Sequence, residues 1–261
     1  MSWKPAEDIA EETAMNAYHY RQSLHKLLSL EYNCSAEDFS KSENILTESA
    51  LHDGRRQYTE ETYFFHMTTS GGNAVVTADK RLHPFLSDFI KNRPGHFLFE
   101  RHNQIPLEAE LNRFGYTLSD TFHMFLPTEN VSLKANYPVR WFYEEEILPF
   151  YGDQRFPNAI CSKPLPKRPD RIVVCAYDGD EIMGMAGCSE DAPNWMQIGI
   201  DVMPAYRSKG VGTYLVKLLK DKIIENGGIP FYGTSIANYH SWNIAINAGF
   251  RPAWVEIGAE R

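Results

Sequence analysis

The chain has few of the residues that would place it outside the ordinary globular class. It has only four cysteines, Cys34, Cys161, Cys175 and Cys188, and no two of them form a Cys-x-x-Cys pair. That spacing suggests neither a disulfide framework nor a zinc knuckle, so buried free thiols are expected. No apolar run approaches the roughly 18 residues that a bilayer crossing requires, and a membrane partner is not expected. The opening residues, Met1-Ser2-Trp3-Lys4-Pro5-Ala6, lack the basic start and apolar stretch of a secretory signal, so a cytoplasmic location is expected. Positive charge is also in deficit, with 26 Lys and Arg against 34 Asp and Glu and a formal net charge of −8. No basic tract with interleaved aromatics offsets it, which speaks against nucleic acid as a partner. The nine histidines include no His-x-x-x-His pair and no His/Cys cluster at ligand spacing, so no metal site is expected.

What is present is a mixed α and β pattern. Ile9, Thr13, Ala17, Tyr20, Leu24, Leu27 and Leu28 recur at helical spacing and predict a long amphipathic helix over 6–30. The run 74–78 reads as a buried strand, after which Asp79 can cap a helix whose Leu82, Phe85, Leu86, Phe89 and Ile90 form one apolar face. A short strand is expected at 97–99, then a helix carrying Leu107, Leu111 and Phe114 that stops at Gly115, with a further strand after Tyr116. Pro127 and the polar Thr128-Glu129-Asn130 break the pattern, placing a linker at about 127–138 between an N-terminal lobe, 1–130, and a second domain, 138–261.

Beyond the linker a helical segment is expected at 141–150. A long surface loop follows, marked by Pro157, Pro164, Pro166 and Pro169 and made basic by Lys163, Lys167, Arg168 and Arg171. Asp178-Gly179-Asp180 joins two strand-like runs, 171–177 and 181–188, as a hairpin. A third strand spans 195–203. Glu144-Glu145-Glu146 could attract a cationic amine, although a solvated helix face is the simpler reading.

Directly after the third strand come Arg207-Ser208-Lys209-Gly210-Val211-Gly212-Thr213 and then Leu215, Leu218, Leu219 and Ile223 at helical spacing. The order is strand, glycine loop, helix. Glycines let the backbone approach a ligand, and the first helical amides, which have no partner inside the helix, direct donors and partial positive charge at an anion. The loop is neither a Walker loop nor a Gly-x-Gly-x-x-Gly fingerprint. A pyrophosphate fits the arrangement.

The stretch Val202-Met203-Pro204-Ala205-Tyr206-Arg207-Ser208-Lys209-Gly210-Val211-Gly212 resembles the acetyl-CoA signature of the GNAT acyltransferase superfamily. A second motif agrees: a strand at 230–236, Asn238, a short helix at 241–248 and then Gly249-Phe250. Across the chain, Asn158-Ala159-Ile160, Gly184-Met185-Ala186-Gly187, Ile198-Gly199-Ile200-Asp201-Val202, Phe231-Tyr232-Gly233-Thr234-Ser235 and Pro252-Ala253-Trp254-Val255 are similar to a bacterial family of two-domain GNAT proteins. Gly72-Asn73-Ala74-Val75-Val76 and Phe114-Gly115-Tyr116 fit its first lobe, which here ends as the second does and reads as a degenerate copy without the phosphate loop.

The resemblance implies an α+β fold, acetyl-CoA as co-substrate, and transfer of an acetyl group to a primary amine of a small molecule or protein by direct attack in a ternary complex. It implies that the backbone near Ile200 and Val202 pairs with the pantetheine arm. Arg207, Ser208, Lys209, Gly210, Val211, Gly212 and Thr213 would bind the cofactor, with 209–213 around the pyrophosphate, and Asn238 and Ser241 would line the thioester end. Some relatives use a Glu as base and a Tyr as acid, but the matching places here are Met196 and Ala245. Tyr239 and Asn238 are the candidate catalytic residues, Tyr206 and Tyr232 are other sources of a phenol, and Asp201 or His240 could relay a proton through water. The alternative is a non-catalytic acyl-CoA sensor or interaction protein. The first lobe is left as a substrate-recognition or dimerisation element, so a homodimer stays open.

Overall fold

The computed structural model describes residues 6–261, with side chains from residue 17 onward. The chain forms two compact units that alternate along the sequence. One comprises residues 21–124, 235–237 and 252–261; the other comprises 125–234 and 238–251, together with the opening helix up to Tyr20.

The N-terminal unit begins within α1 (Ala6–Glu31). Leu24, Leu27 and Leu28 of its apolar stripe are buried, while the side chains of Ile9 and Thr13 lie outside the described residues. Then come β1 (Ile45–Glu48), β2 (Phe65–Thr69), β3 (Ala74–Ala78), α2 (His83–Phe89), α3 (Arg101–Asn112), β4 (Thr117–Leu118) and β5 (Phe122–Pro127). β3 is antiparallel to β2 and parallel to β1. Every residue of β2 and β3 is buried, as strands covered on both faces are. The Asp79 carboxylate accepts from the Arg81 amide at 2.9 Å and caps a 3-10 turn, Lys80–Leu82, that leads into α2, whose own N-cap, Leu82, makes no side-chain bond. Leu82, Leu86, Phe89 and Ile90 turn inward.

The strand expected at 97–99 is instead a 3-10 turn, Gly95–Phe99. Phe97 N donates to the Pro94 carbonyl and Glu100 N to the Phe97 carbonyl, both at 3.0 Å. Leu98 is buried while Phe97 is 47% exposed. A Phe-Leu-Phe run with one residue inward serves a tight turn as well as a strand, and Pro94 just before it favours the turn.

The second unit contains β6 (Val139–Tyr143), β7 (Asp170–Asp178), β8 (Glu181–Ala192), β9 (Trp195–Val202), α4 (Val211–Glu225), β10 (Ile229–Ser235) and α5 (Tyr239–Asn247). β11 (Phe250–Glu260) closes the chain, and its residues from 252 belong to the N-terminal unit, where they pair antiparallel with β2 and β4. β6 to β9 form an antiparallel meander, and β10 joins β9 in parallel. The predicted hairpin between β7 and β8 turns at Gly179, φ +60°. One face of this sheet packs Ala186, Cys188 and Ile198 against Val211, Leu215, Leu219 and Ile223 of α4. The opposite face packs Val173, Cys175 and Met185 against Ile147, Phe156, Ala159 and Ile160.

The helix expected at 141–150 is two elements, strand β6 and a 3-10 turn, Glu144–Phe150. Trp141 and Phe142 sit opposite Val174 and Val173 of β7, so β-favouring aromatics pair with β-branched residues. Glu144 then adopts φ +47°, which ends the strand. Glu144 pairs with Arg171 at 3.1 Å, and the Glu146 carboxylate accepts from the Tyr143 amide at 3.0 Å. Two of the three clustered acids therefore have partners inside the unit. Among the described residues no helix is long and apolar enough to cross a membrane.

Candidate functional site

β9 and β10 part company midway. Their register runs from Trp195 opposite Ile229 to Ile198 opposite Tyr232 and ends there, although β9 continues to Val202 and β10 to Ser235. Met203 N donates to the Met183 carbonyl on the β8 side at 2.9 Å. Backbone groups of successive strand residues alternate in direction, so Ile200 and Val202 present theirs to the opened side. An extended amide chain could complete that edge as a further strand.

The glycine loop begins at the open end of this groove. A 3-10 turn, Pro204–Tyr206, follows β9, and Arg207 Nε donates to the Val202 carbonyl at 3.2 Å. Ser208 has φ +60° and Gly210 φ +82°. These two left-handed residues reverse the chain so that α4 starts at Val211, with no side chain capping it. The first amides of α4, those of Val211, Gly212 and Thr213, thus lack intrahelical acceptors and face outward with the positive end of the helix dipole. A side chain at Gly212 would press on Ile244 Cδ1 at 2.9 Å and Val202 Cγ2 at 3.3 Å, so glycine lets the start of α4 nest between β9 and α5. Gly210 has open space around it, and its requirement is the positive φ.

Tyrosine hydroxyls hold the loop from two sides. Tyr137 Oη donates to the Lys209 carbonyl at 2.5 Å, with its ring edge-on to Tyr214 at 5.6 Å. The single Tyr206 Oη proton is shared between Asp178 at 3.1 Å and Glu181 at 3.2 Å. Burial and these acids push the Tyr206 phenol up to about 12. Lys209 lies over the Tyr206 ring at 5.1 Å and is exposed.

The structure therefore brings Ile200, Val202 and residues 207–213 together. Asn238 and Ser241 open α5, where Asn238 is the N-cap and its Oδ1 accepts from Ser241 N at 3.1 Å. That oxygen is engaged locally, and the amide nitrogen is the part of the side chain left to meet a ligand. Ser241 Oγ and Tyr232 Oη share a hydrogen bond of 2.6 Å. Tyr232 is the last residue of β10 that pairs with β9; burial raises its phenol to about 12, with Asp201 adding to the rise and Ser241 opposing it. Tyr239 is 73% exposed on the first turn of α5. The Asp201 carboxylate accepts from Asn158 N at 2.7 Å, Ala159 N at 2.9 Å and Asn158 Nδ2 at 2.7 Å, which leaves it little capacity for a proton relay.

Sequence reasoning missed the contacts of Tyr137, and it singled out Asn158 only within the stretch Asn158-Ala159-Ile160, without its bond to Asp201. Neither has a local signature, because their partners lie 72 and 43 residues away. Lys220 is similar: it is 2% exposed in α4, and its Nζ donates to the Glu129 carbonyl at 2.9 Å.

Residues 133–250 match the acetyltransferase (GNAT) family. Similar solved structures include a GNAT-family protein of Novosphingobium aromaticivorans, 14% identical over 56% of this chain with a TM-score of 0.44. A GCN5-related N-acetyltransferase-like protein of Streptococcus suis is 9% identical over 62% of this chain and 69% of its own, with a TM-score of 0.45. Salmonella typhimurium yncA, solved with its cofactor acetyl-CoA, is 18% identical over 36% of this chain and 64% of its own, with a TM-score of 0.29. The chain spans 66% of the length of the Novosphingobium protein. No curated protein matches it.

Proposed function

We propose, from the premise that residues 133–250 are a domain of the acetyltransferase (GNAT) family, that the protein transfers an acetyl group from acetyl-CoA to a primary amine. The observation that carries this reading is the conjunction of the parted strands β9 and β10 with the uncapped start of α4. Extended pantetheine amides fit the first, and a pyrophosphate fits the second. Ile200 and Val202 would pair with the arm, and Arg207, Ser208, Lys209, Gly210, Val211, Gly212 and Thr213 would hold the phosphates. Asn238 and Ser241 would face the thioester.

Acetyl-CoA supplies the activated acetyl group. The chain supplies alignment of a neutral amine with the carbonyl carbon, which by itself removes several kcal/mol of the barrier. As the N–C bond forms and the C–S bond breaks, one amine proton must reach the departing sulfur. Ser241, hydrogen-bonded to Tyr232, and the exposed Tyr239 with Asn238 at the start of α5 are the candidates for handling that proton. The acceptor is a small molecule or a protein amine, and the reaction takes place in the cytoplasm.

A second reading, an acyl-CoA sensor without turnover, is favoured by Met196 and Ala245 standing at about the places where, by the resemblance, some relatives carry a Glu base and a Tyr acid. A thiol-release assay over polyamines, amino acids, aminoglycosides and peptide amino termini separates the two. Amine-dependent release supports the transferase, whereas binding of acetyl-CoA with no release on any amine supports the sensor.

A further inference from the structure

We infer that Asp201 is a positioning residue that seats the backbone of Asn158 and Ala159 beside the point where β9 and β10 part, making that segment the acceptor-side wall of the groove. The inference rests on the acetyl-transfer reading and adds to it a device that shapes the amine's side of the site.

Three observations carry it. Asp201 Oδ2 accepts from two consecutive amides, Asn158 N and Ala159 N, and Oδ1 accepts from Asn158 Nδ2. Bonds from neutral donors to a carboxylate are stronger than neutral pairs, and three on one carboxylate leave about one of its four acceptor positions free. Gly187 and Gly199 sit directly opposite each other on β8 and β9. A Cβ at Gly199 would fall on the Asn158 carbonyl oxygen, and one at Gly187 on the Ala159 carbonyl oxygen. Neither glycine has a positive φ, so what glycine supplies at both places is room for another backbone. Phe156, Ala159 and Ile160 are buried against Val173, Cys175 and Met185, which pins the segment from within.

The location gives the arrangement its meaning. Gly199 is the first β9 residue past the last pair with β10, so the glycine slot opens where the thioester end of an inserted arm would lie. Asp201 also lies within electrostatic reach of the Tyr232 phenol, which is bonded to Ser241. The carboxylate thus fixes a loop at the reacting end of the groove while the phosphate loop lies beyond it. A wall displaced by about 1 Å at a reacting centre can cost a hundredfold in rate.

Asp201→Ala and, independently, Gly199→Ala test the inference. In both, amide hydrogen exchange at Asn158 and Ala159 is expected to speed up by about tenfold or more. Calorimetric affinity for acetyl-CoA is expected to stay at the wild-type value, while kcat/KM for the amine falls by about tenfold or more. Asp201→Asn, which keeps one acceptor oxygen, should recover part of the loss. Unchanged exchange at both amides overturns the clamp, and an acetyl-CoA affinity that falls in step with turnover overturns the acceptor-side assignment. If the wild-type protein binds acetyl-CoA but acetylates no amine, the wall has no acceptor to shape and that assignment falls with the transferase reading. The exchange data still decide the clamp in that case.

Discussion

The phenol of Tyr137 donates to the carbonyl oxygen of Lys209 at 2.5 Å, tying the segment before β6 to the centre of the glycine loop. Tyr137→Phe keeps the ring contact with Tyr214 and removes only that bond. A single neutral hydrogen bond contributes about 0.5–1.5 kcal/mol, so affinity for acetyl-CoA should fall by a factor of roughly 2 to 10. Calorimetry on the two proteins reads this directly, and equal affinities would show that the loop keeps its shape without Tyr137.

Gly210 occupies the left-handed region at φ +82° with nothing within 4 Å of a would-be Cβ. Gly210→Ala therefore meets no clash and carries only backbone strain, on the order of 1–2 kcal/mol. The expected outcome is a lower Tm and weaker acetyl-CoA binding, with bound acetyl-CoA restoring part of the lost Tm.

The N-terminal unit contains a buried ion cluster. Arg56 donates to both oxygens of Glu31 at 2.7 Å and to Glu256 at 2.8 Å, and Trp254 Nε1 also donates to Glu256 at 2.8 Å. Arg56→Met would leave two carboxylates buried without their cation, a change that costs about 3–5 kcal/mol. Denaturant unfolding should show that loss. Adding Glu31→Gln should recover part of it, because one of the two uncompensated charges is removed.

His66 stacks on Tyr32 at 5.1 Å within the same region, and burial pushes its imidazole down to about 4. Between that value and its ordinary 6.5 the unfolded chain binds a proton that the folded chain refuses. Stability therefore declines as pH falls from 6.5 toward 4, by about 3 kcal/mol if His66 acts alone. Unfolding midpoints measured across that range should drop in the wild type, and the part of the drop due to His66 should vanish in His66→Gln.

The helices, the β7–β8 hairpin and the glycine loop were legible because their signals are local. Gly179 and Gly210 need positive φ, Asp79 caps the next turn, and the α4 leucines follow a 3.6-residue period. Residues 141–150 and 97–99 misled because short aromatic runs satisfy more than one period, and pairing with β7 or closure by Pro94 decided the outcome. In the sequence, Asp201 is one of two candidates, with His240, for a proton relay because its position in β9 is readable and its partners are not. The carbonyls of Asn158 and Ala159 lie against Gly199 and Gly187, where a Cβ would collide with them.

The most direct test of the account is a calorimetric titration of acetyl-CoA into the wild-type protein and into Lys209→Glu, whose exposed side chain gives up its place over the Tyr206 ring when its charge changes sign. The account predicts one site per chain in the wild type and an affinity weakened by about tenfold or more in the variant, because a carboxylate then faces the pyrophosphate. Absence of binding in the wild type, or equal affinity in the two proteins, would contradict the assignment of the cofactor to the start of α4.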